Sequence, residues 1–405
     1  MNNYEHRKSK TIISLKNKDG SPASKVSVRA KLINHEFLFG AGAFDILAYL
    51  NVEDESFKEK LLPRVERWED LFNYGTLPFY WGRYEPEEGK TGKDGMIKAV
   101  EHLRGLGASV KGHPLCWHTV CADWLLKYPI EEIMKRQLDR ITRDVGDFKG
   151  KIGLWDVINE TAIMPIFDKY DNAVTRLCNH YGRIPLIKAV FDAARQADPD
   201  AVLLINDFIT SEDYAQIIEE ALDAGVPIDV IGIQSHQHQG YWGAEKLNTV
   251  LERFSRFGLP IHFTENTLIS GELMPPEIED LNDYHNDNWQ TLPEYEERQK
   301  CEVEEMYSIL FAHSLVKAIT AWDLADGMWL NAPSGLIRKD GSPKPAYNRL
   351  TELIKGEWST DVTVMTDENG CFVLDGFKGD YDLVVNGSTY SVKNSDDTKE
   401  CTVTL

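Results

Sequence analysis

Eight short apolar runs recur between residues 37 and 356, with longer stretches of helical spacing between them. They are Phe37–Gly40, Leu71–Thr76, Ser109–Leu115, Ile152–Ile158, Val202–Asn206, Val230–Gln234, Ile261–Thr264 and Ala318–Trp322. Runs this short and this apolar read as strands buried on both faces, the condition of a parallel sheet. In the intervening Glu212–Ala224 and Leu247–Phe257, apolar residues fall three and four apart. Gly225 and Gly258 follow directly, where a helix C-cap favours glycine. Parallel strands need crossover connections, and eight strand–helix units close on themselves as a (β/α)8 TIM barrel. The spacing therefore predicts an α/β barrel over residues 37–356.

The two ends follow another pattern. In residues 1–36, Thr11–Leu15 and Lys25–Ala30 have strand character around the turn-forming Asp19-Gly20-Ser21-Pro22. In residues 357–405, strands are expected at Val362–Met365, Cys371–Leu374, Tyr381–Val385 and Thr402–Leu405, with a hairpin-type turn at Asp367-Glu368-Asn369-Gly370. Residues 1–32 hold eight Lys/Arg against two acids, and residues 357–405 hold three Lys against ten acids. Opposite charge favours the two ends meeting, and their motifs resemble the two halves of a carboxypeptidase-regulatory-like β-sandwich. The expectation is one small sandwich into which the barrel is inserted; two independent tails are the alternative. Of the six cysteines, Cys116, Cys121, Cys178, Cys301, Cys371 and Cys401, none forms a CxxC pair, so free thiols are expected. Cys371 and Cys401 share the last segment and are the one pairing worth checking.

A formal charge of −21 disfavours nucleic acid and anionic membranes as partners, because both repel an acidic surface. A neutral carbohydrate is compatible with it. The polar start Met1–Lys8, with no apolar run after it, fits a cytoplasmic protein, or a secreted one if a leader has been removed.

Polar residues gather at the carboxyl ends of the expected strands, where barrels build active sites. The third runs into Lys111-Gly112-His113-Pro114-Leu115-Cys116-Trp117-His118, and the fourth ends in Asn159-Glu160. The others end in Asn206-Asp207, Gln234-Ser235-His236, Thr264-Glu265 and Trp322-Asp323. Two glutamates, Glu160 and Glu265, thus face one mouth from distant parts of the chain. Paired carboxylates are what glycoside hydrolysis needs: one protonates the leaving oxygen, and the other attacks the sugar carbon or activates water. A separation of about 5–5.5 Å is expected for a retaining pair. The acid must keep its proton while its partner is charged, and repulsion between them raises the acid's pKa. His236 and His238 form a His-x-His pair, but the carboxylates already account for the site, and neither metal nor cofactor is expected.

As a set, these motifs resemble glycoside hydrolase family 10, the xylanase family of (β/α)8 barrels. Gly112–His118 looks like the family's Gly-His-Thr-Leu-Val-Trp-His, and Leu154-Trp155-Asp156-Val157-Ile158-Asn159-Glu160 contains a near-copy of its Trp-Asp-Val-Val-Asn-Glu. Ile205-Asn206-Asp207, Gly232-Ile233-Gln234-Ser235-His236 and Thr264-Glu265 follow in the family's order. The resemblance implies Glu160 as general acid and base, Glu265 as nucleophile and Asn159 as partner of the sugar 2-hydroxyl. It also implies that His113, Trp117, Gln234 and Trp322 line the subsite of the attacked sugar, and that His236 contacts Glu265. The implied activity is retaining cleavage of β-xylosyl or related pentosyl bonds.

The chain departs from the family in several places. The family's Glu-Asn-x-x-Lys-type clamp is replaced by Leu77-Pro78-Phe79-Tyr80-Trp81-Gly82-Arg83-Tyr84-Glu85-Pro86. Here Trp81 and Arg83 are the expected substrate contacts, with Phe79 and Trp81 suited to a planar group. Asn266-Thr267 stands where the family commonly has Leu-Asp. Thr267–Glu297 carries nine acidic residues and no Lys or Arg, as a lid or specificity element at the same rim. These departures point to a short pocket for oligosaccharides or glycoconjugates in place of an open cleft for xylan. A diglycosidase or exo-glycosidase acting on plant aryl glycosides, and a non-catalytic carbohydrate-binding barrel, are the rival readings.

Overall fold

The computed structural model describes residues 3–405. Strands β1 (Lys8–Lys16) and β2 (Ser27–His35) precede β3 (Leu38–Gly42), β4 (Tyr74–Pro78), β5 (Ser109–His113), β6 (Leu154–Asn159), β7 (Val202–Asp207), β8 (Val230–Gln237), β9 (Ile261–Leu268) and β10 (Val316–Ala321). Among the described residues, β3 to β10 close as a parallel barrel in chain order, β10 pairing with β3. Helices including Glu212–Asp223 and Gly243–Ser255 return each strand to the bottom of the next. No helix among the described residues is long and apolar enough to cross a membrane.

The second barrel strand begins later than its apolar run suggests. Leu71 closes the helix Glu55–Leu71 and is buried there with Trp68, so the run straddles a helix end and a strand start. Strand β9 runs on to Leu268, which places Glu265 inside the strand. Burial on both faces, which every residue of β9 shows, accounts for the unbroken apolar reading of these segments.

The ends form the expected small sandwich. Strands β11 (Asp361–Met365), β12 (Cys371–Phe377), β13 (Gly379–Val385), β14 (Ser388–Asn394) and β15 (Glu400–Thr404) join β1 and β2 in two sheets, ordered β12-β1-β15 and β11-β2-β13-β14. The turn at Asp367–Gly370 is no hairpin, because β11 and β12 lie in different sheets. Strand β14 escapes a hydrophobicity reading because only Tyr390 and Val392 are apolar in Ser388–Asn394. Cys371 is paired with Ser14 and Cys401 with Ile13, on opposite sides of β1. Two strand spacings place their Cα atoms about 9–10 Å apart, beyond the reach of a disulfide. Both are free thiols.

The sandwich docks beneath the barrel, at the amino ends of its strands. Arg7 carries this junction: its guanidinium donates to the carbonyls of Phe311 at 2.9 Å and of His313 and Val316 at 2.7 Å. It also lies 4.5 Å from the Phe37 ring centroid. Trp358 stacks on Phe311 at 4.5 Å beside it. Removing the guanidinium would leave three carbonyls without their donor, so Arg7→Ala should lower the unfolding free energy by about 2–3 kcal/mol. Urea titration checks this, and activity measured below the transition should be unchanged, because the junction lies at the face remote from the mouth.

Candidate active site

Glu160 follows the last residue of β6 with φ +57°, a left-handed conformation that costs a non-glycine residue about 1 kcal/mol. The turn is held by neighbours. The Glu160 amide donates to the Asn206 carbonyl at 2.8 Å. The buried Asp207 carboxyl accepts from the Thr161 hydroxyl at 3.1 Å and from the amides of Ala162 at 2.9 Å and Ile209 at 3.0 Å. Strain held by so many partners marks a position where the side chain's direction matters.

The Glu160 carboxyl accepts from Trp117 Nε1 at 2.8 Å, Asn159 Nδ2 at 3.2 Å and Gln234 Nε2 at 3.3 Å. His118 Nε2 lies 3.7 Å away. Burial pushes the Glu160 pKa up to about 8; the Trp117 hydrogen bond opposes this, and the negative Glu265 and Asp207 reinforce it. Glu265 accepts from Asn206 Nδ2 at 2.8 Å. His236 Nε2 lies 3.2 Å from one of its oxygens and His113 Nε2 3.9 Å from the other. Burial alone would raise this carboxyl too, but His113, His236 and Lys111 outweigh it and hold Glu265 below the ordinary carboxylate range. The two glutamates are therefore in opposite ionisation states at neutral pH, an acid beside a carboxylate.

Two β-bulges make this convergence possible. Regular alternation would send Thr264 and Glu265 to opposite faces, yet both reach Asn206, Thr264 Oγ1 bonding its Oδ1 at 2.7 Å. The register of β8 against β9 slips at this point. A second slip between Asp156 and Ile158 lets Asp156 and Asn159, three residues apart, both face inward. Asp156 bonds His113 Nδ1 at 2.6 Å and pairs with Lys111 Nζ at 2.7 Å, while Asn159 Oδ1 accepts from Asn206 at 2.8 Å and Gln234 at 3.1 Å. Gly232 leaves the space for Asn206: a Cβ there would stand 2.4 Å from Asn206 Oδ1.

Around this pair lie His113, Trp117, Asn159, Gln234, His236 and Trp322. The Trp322 ring sits 5.3 Å from His113 and 6.2 Å from His236. Thr267, in the place of the family's aspartate, bonds His236 Nδ1 at 3.2 Å with its hydroxyl, so a neutral group orients that ring. Among the described residues no group of three or more His, Cys, Asp or Glu could hold a metal ion. His238 turns instead to Thr267 and the Trp289 and Trp329 rings.

Trp81 is a correction. Its ring is buried under the Arg140 guanidinium at 4.9 Å and against Trp124 at 5.7 Å, with its N–H on Glu85 at 3.0 Å. It packs between barrel and helix layer and offers no face to a sugar. Phe79 is fully buried too, against Trp155 at 4.9 Å. Tyr80, between them, faces the mouth, 5.6 Å from Trp117 and 5.8 Å from His113, and is the residue that sequence reasoning missed. Alternation about the end of β4 was the available signal: if Phe79 and Trp81 point outward, Tyr80 points in. Arg83 is exposed, its guanidinium 5.8 Å from the Tyr80 ring. The acidic loop does not rise beside this segment. It runs from β9 over β8, Gln239 Nε2 donating to the carbonyls of Pro275 at 3.0 Å and Ile278 at 2.7 Å.

Glu160 keeps its proton to about pH 8 in the folded protein, against an ordinary value near 4.5. Between these values the folded state binds more protons than the unfolded chain, so this residue's contribution to stability falls as pH rises. Glu160→Gln should raise Tm by a few degrees at pH 8 and leave it unchanged below the ordinary carboxylate range. Glu265, with its depressed pKa, has the opposite sign: its contribution is present above the ordinary range and lost on acidification. Calorimetry of both variants across pH checks the two signs together.

Residues 79–353 match the family model described as glycosyl hydrolase family 10. The chain is 27% identical over 317 residues to endo-1,4-beta-xylanase C of Paenibacillus barcinonensis, covering 68% of this chain and 28% of that protein. It is 30% identical over 241 residues to a beta-1,4-xylanase of Dictyoglomus thermophilum, covering 55% of this chain and 62% of that one. The chain thus spans less than two thirds of the length of either relative. The solved structure of GH10 from Paenibacillus barcinonensis superimposes with a TM-score of 0.65 at 25% identity, over 79% of this chain and 95% of that chain. With the family model covering most of the barrel and the paired carboxylates at its mouth, the chain belongs to glycosyl hydrolase family 10.

Proposed function

We propose that this protein is a retaining β-glycosidase of the endo-1,4-β-xylanase type, cleaving β-xylosyl or related pentosyl bonds in short oligosaccharides or glycoconjugates. The observation that carries the reading is a pair of carboxyls in unlike surroundings, Glu160 against Trp117, Asn159 and Gln234 and Glu265 against His236 and His113, joined through Asn159 and Asn206. Protonated Glu160 gives its proton to the leaving oxygen while ionised Glu265 attacks the anomeric carbon and forms a glycosyl-enzyme. Glu160, now a carboxylate, takes a proton from water as that water displaces Glu265. Asn159, bonded to both the Glu160 carboxyl and Asn206, stands where a sugar 2-hydroxyl gains a hydrogen bond in the transition state. His113, Trp117, Trp322 and Gln234 form the walls, and Tyr80 takes the stacking role expected of Trp81.

The preference for short substrates rests on aromatic Tyr80 where the family carries a polar clamp, and on an ordered acidic loop along the rim. The same features suit an aryl glycoside, the second reading. A screen across xylo-oligosaccharides, aryl xylosides, flavonoid glycosides and polymeric xylan separates the two, and no turnover of any would leave a carbohydrate-binding protein. NMR of the first-formed product should show the β anomer. Glu265→Gln should lower kcat on the order of 10⁴-fold or more without unfolding the barrel. The alkaline limb of the pH profile should fall near the value of about 8 held by Glu160. Tyr80→Ala should raise KM for short substrates about three- to tenfold, the range of one aromatic stacking contact.

A further inference from the structure

The connection between β9 and the helix Pro293–Ala312 is a built element with its own core. Ile269, Met274 and Trp289 are buried with Ala332 of the loop after β10, and Leu281 and Tyr284 pack alongside. Its base is fixed: Arg298 donates to the carbonyls of Ile269 at 2.8 Å and Gly271 at 2.7 Å, and the buried Lys344 bonds Ser270 Oγ at 2.7 Å. Over β8, the Met274 amide bonds the His238 carbonyl at 2.9 Å.

The far side of this element is held differently. Lys169 Nζ lies 2.6 Å from Asp280 and 2.7 Å from Asp283. Lys169 belongs to the loop that follows Glu160, in which the Phe167 ring packs on His118 at 4.4 Å. His118 in turn lies 3.7 Å from the Glu160 carboxyl. A run of contacts therefore leads from the acid through His118 and Phe167 to Lys169, and across to the loop that follows the nucleophile strand. The barrel order puts β7 and β8 between β6 and β9, so this link crosses the ends of both. Tyr80, Trp117 and Trp322 line the opposite arc, after β4, β5 and β10. The acid meets the leaving oxygen, and the link is made by the acid's own loop, so it bounds the space into which the leaving group extends.

We propose that Lys169 is a specificity-determining residue. Paired with Asp280 and Asp283, it clasps the loop after β6 to the loop after β9 and closes the leaving-group side of the mouth to a continuing polymer chain. A short sugar or small aglycone fits beneath. The inference rests on the reading of Glu160 and Glu265 as a β-xylosidic pair. The three side chains are 40%, 36% and 66% exposed, so the clasp is weak and screened by salt, while the base of the loop stays anchored.

The test compares kcat/KM on polymeric xylan, xylotriose and an aryl xyloside for wild type, Lys169→Ala and the double variant Asp280→Asn/Asp283→Asn. Both variants should keep aryl xyloside hydrolysis and raise the polymer-to-aryl-xyloside ratio about two- to fivefold, the range set by loss of an exposed ion pair. High salt should raise the wild-type ratio in the same direction and leave Lys169→Ala unmoved. The charge exchange Lys169→Asp with Asp280→Lys should bring the ratio back toward wild type. Unchanged ratios in both variants, or an equal fall on all three substrates, would overturn the clasp. Failure of the wild type to hydrolyse any of the three substrates would overturn the glycosidic reading itself.

Discussion

The site depends on a buried ion pair beneath the barrel mouth. Lys111 and Asp156 are fully buried, 2.7 Å apart, and His113 bonds the same carboxylate oxygen at 2.6 Å. Taking two charges out of water costs several kcal/mol per ion, and their attraction recovers this only when the geometry is good. Such a pair is poor evidence of stability. Its consequence is electrical: Asp156 stays ionised and fixes His113, whose other ring nitrogen points at Glu265. Glu265 thus lies over a floor that carries Lys111 and His113, while Glu160 is held by Trp117 and amide groups. Two carboxylic acids acquire different protonation states from unlike surroundings.

Asn206 is the mechanical counterpart of that floor. Its single side chain bonds Asn159, Thr264 and Glu265, so the strands that position Glu160 and Glu265 share one support. That support needs Gly232 to leave space and two register slips to turn neighbouring residues inward. The backbone irregularities therefore sit where chemistry requires side chains that a regular pleat would send the wrong way.

The molecule divides its labour by face. The sandwich and Arg7 close the bottom of the barrel, and the loops over the carboxyl ends of the strands carry the site, the division expected of this architecture. Within the rim, parity about β4 assigns Phe79 and Trp81 to the packing between barrel and helices and leaves Tyr80 for the mouth. An aromatic-rich segment does not present all its rings to a ligand, because only every second side chain shares a face.

The amino-acid sequence alone determined the eight-stranded barrel, because strands buried on both faces leave unbroken apolar runs that need no partner to be recognised. It also marked Glu160 and Glu265, since a carboxylate at the end of such a run has few structural uses. The sandwich was legible from the opposite charge of the two ends and from the resemblance of their motifs to the halves of such a domain, while the turn at Asp367–Gly370 misled as a hairpin. Strand β14, with few apolar residues, was not, and neither was the division of β11 and β12 between two sheets. The tertiary structure decided what depends on direction: the burial of Trp81, the inward turn of Tyr80, the path of the acidic loop over β8 toward Lys169, and the separation of Cys371 from Cys401. Periodicity reports which residues are buried. It does not report which neighbour a side chain meets, because bulges, register and loop paths are set by packing between segments far apart in the chain.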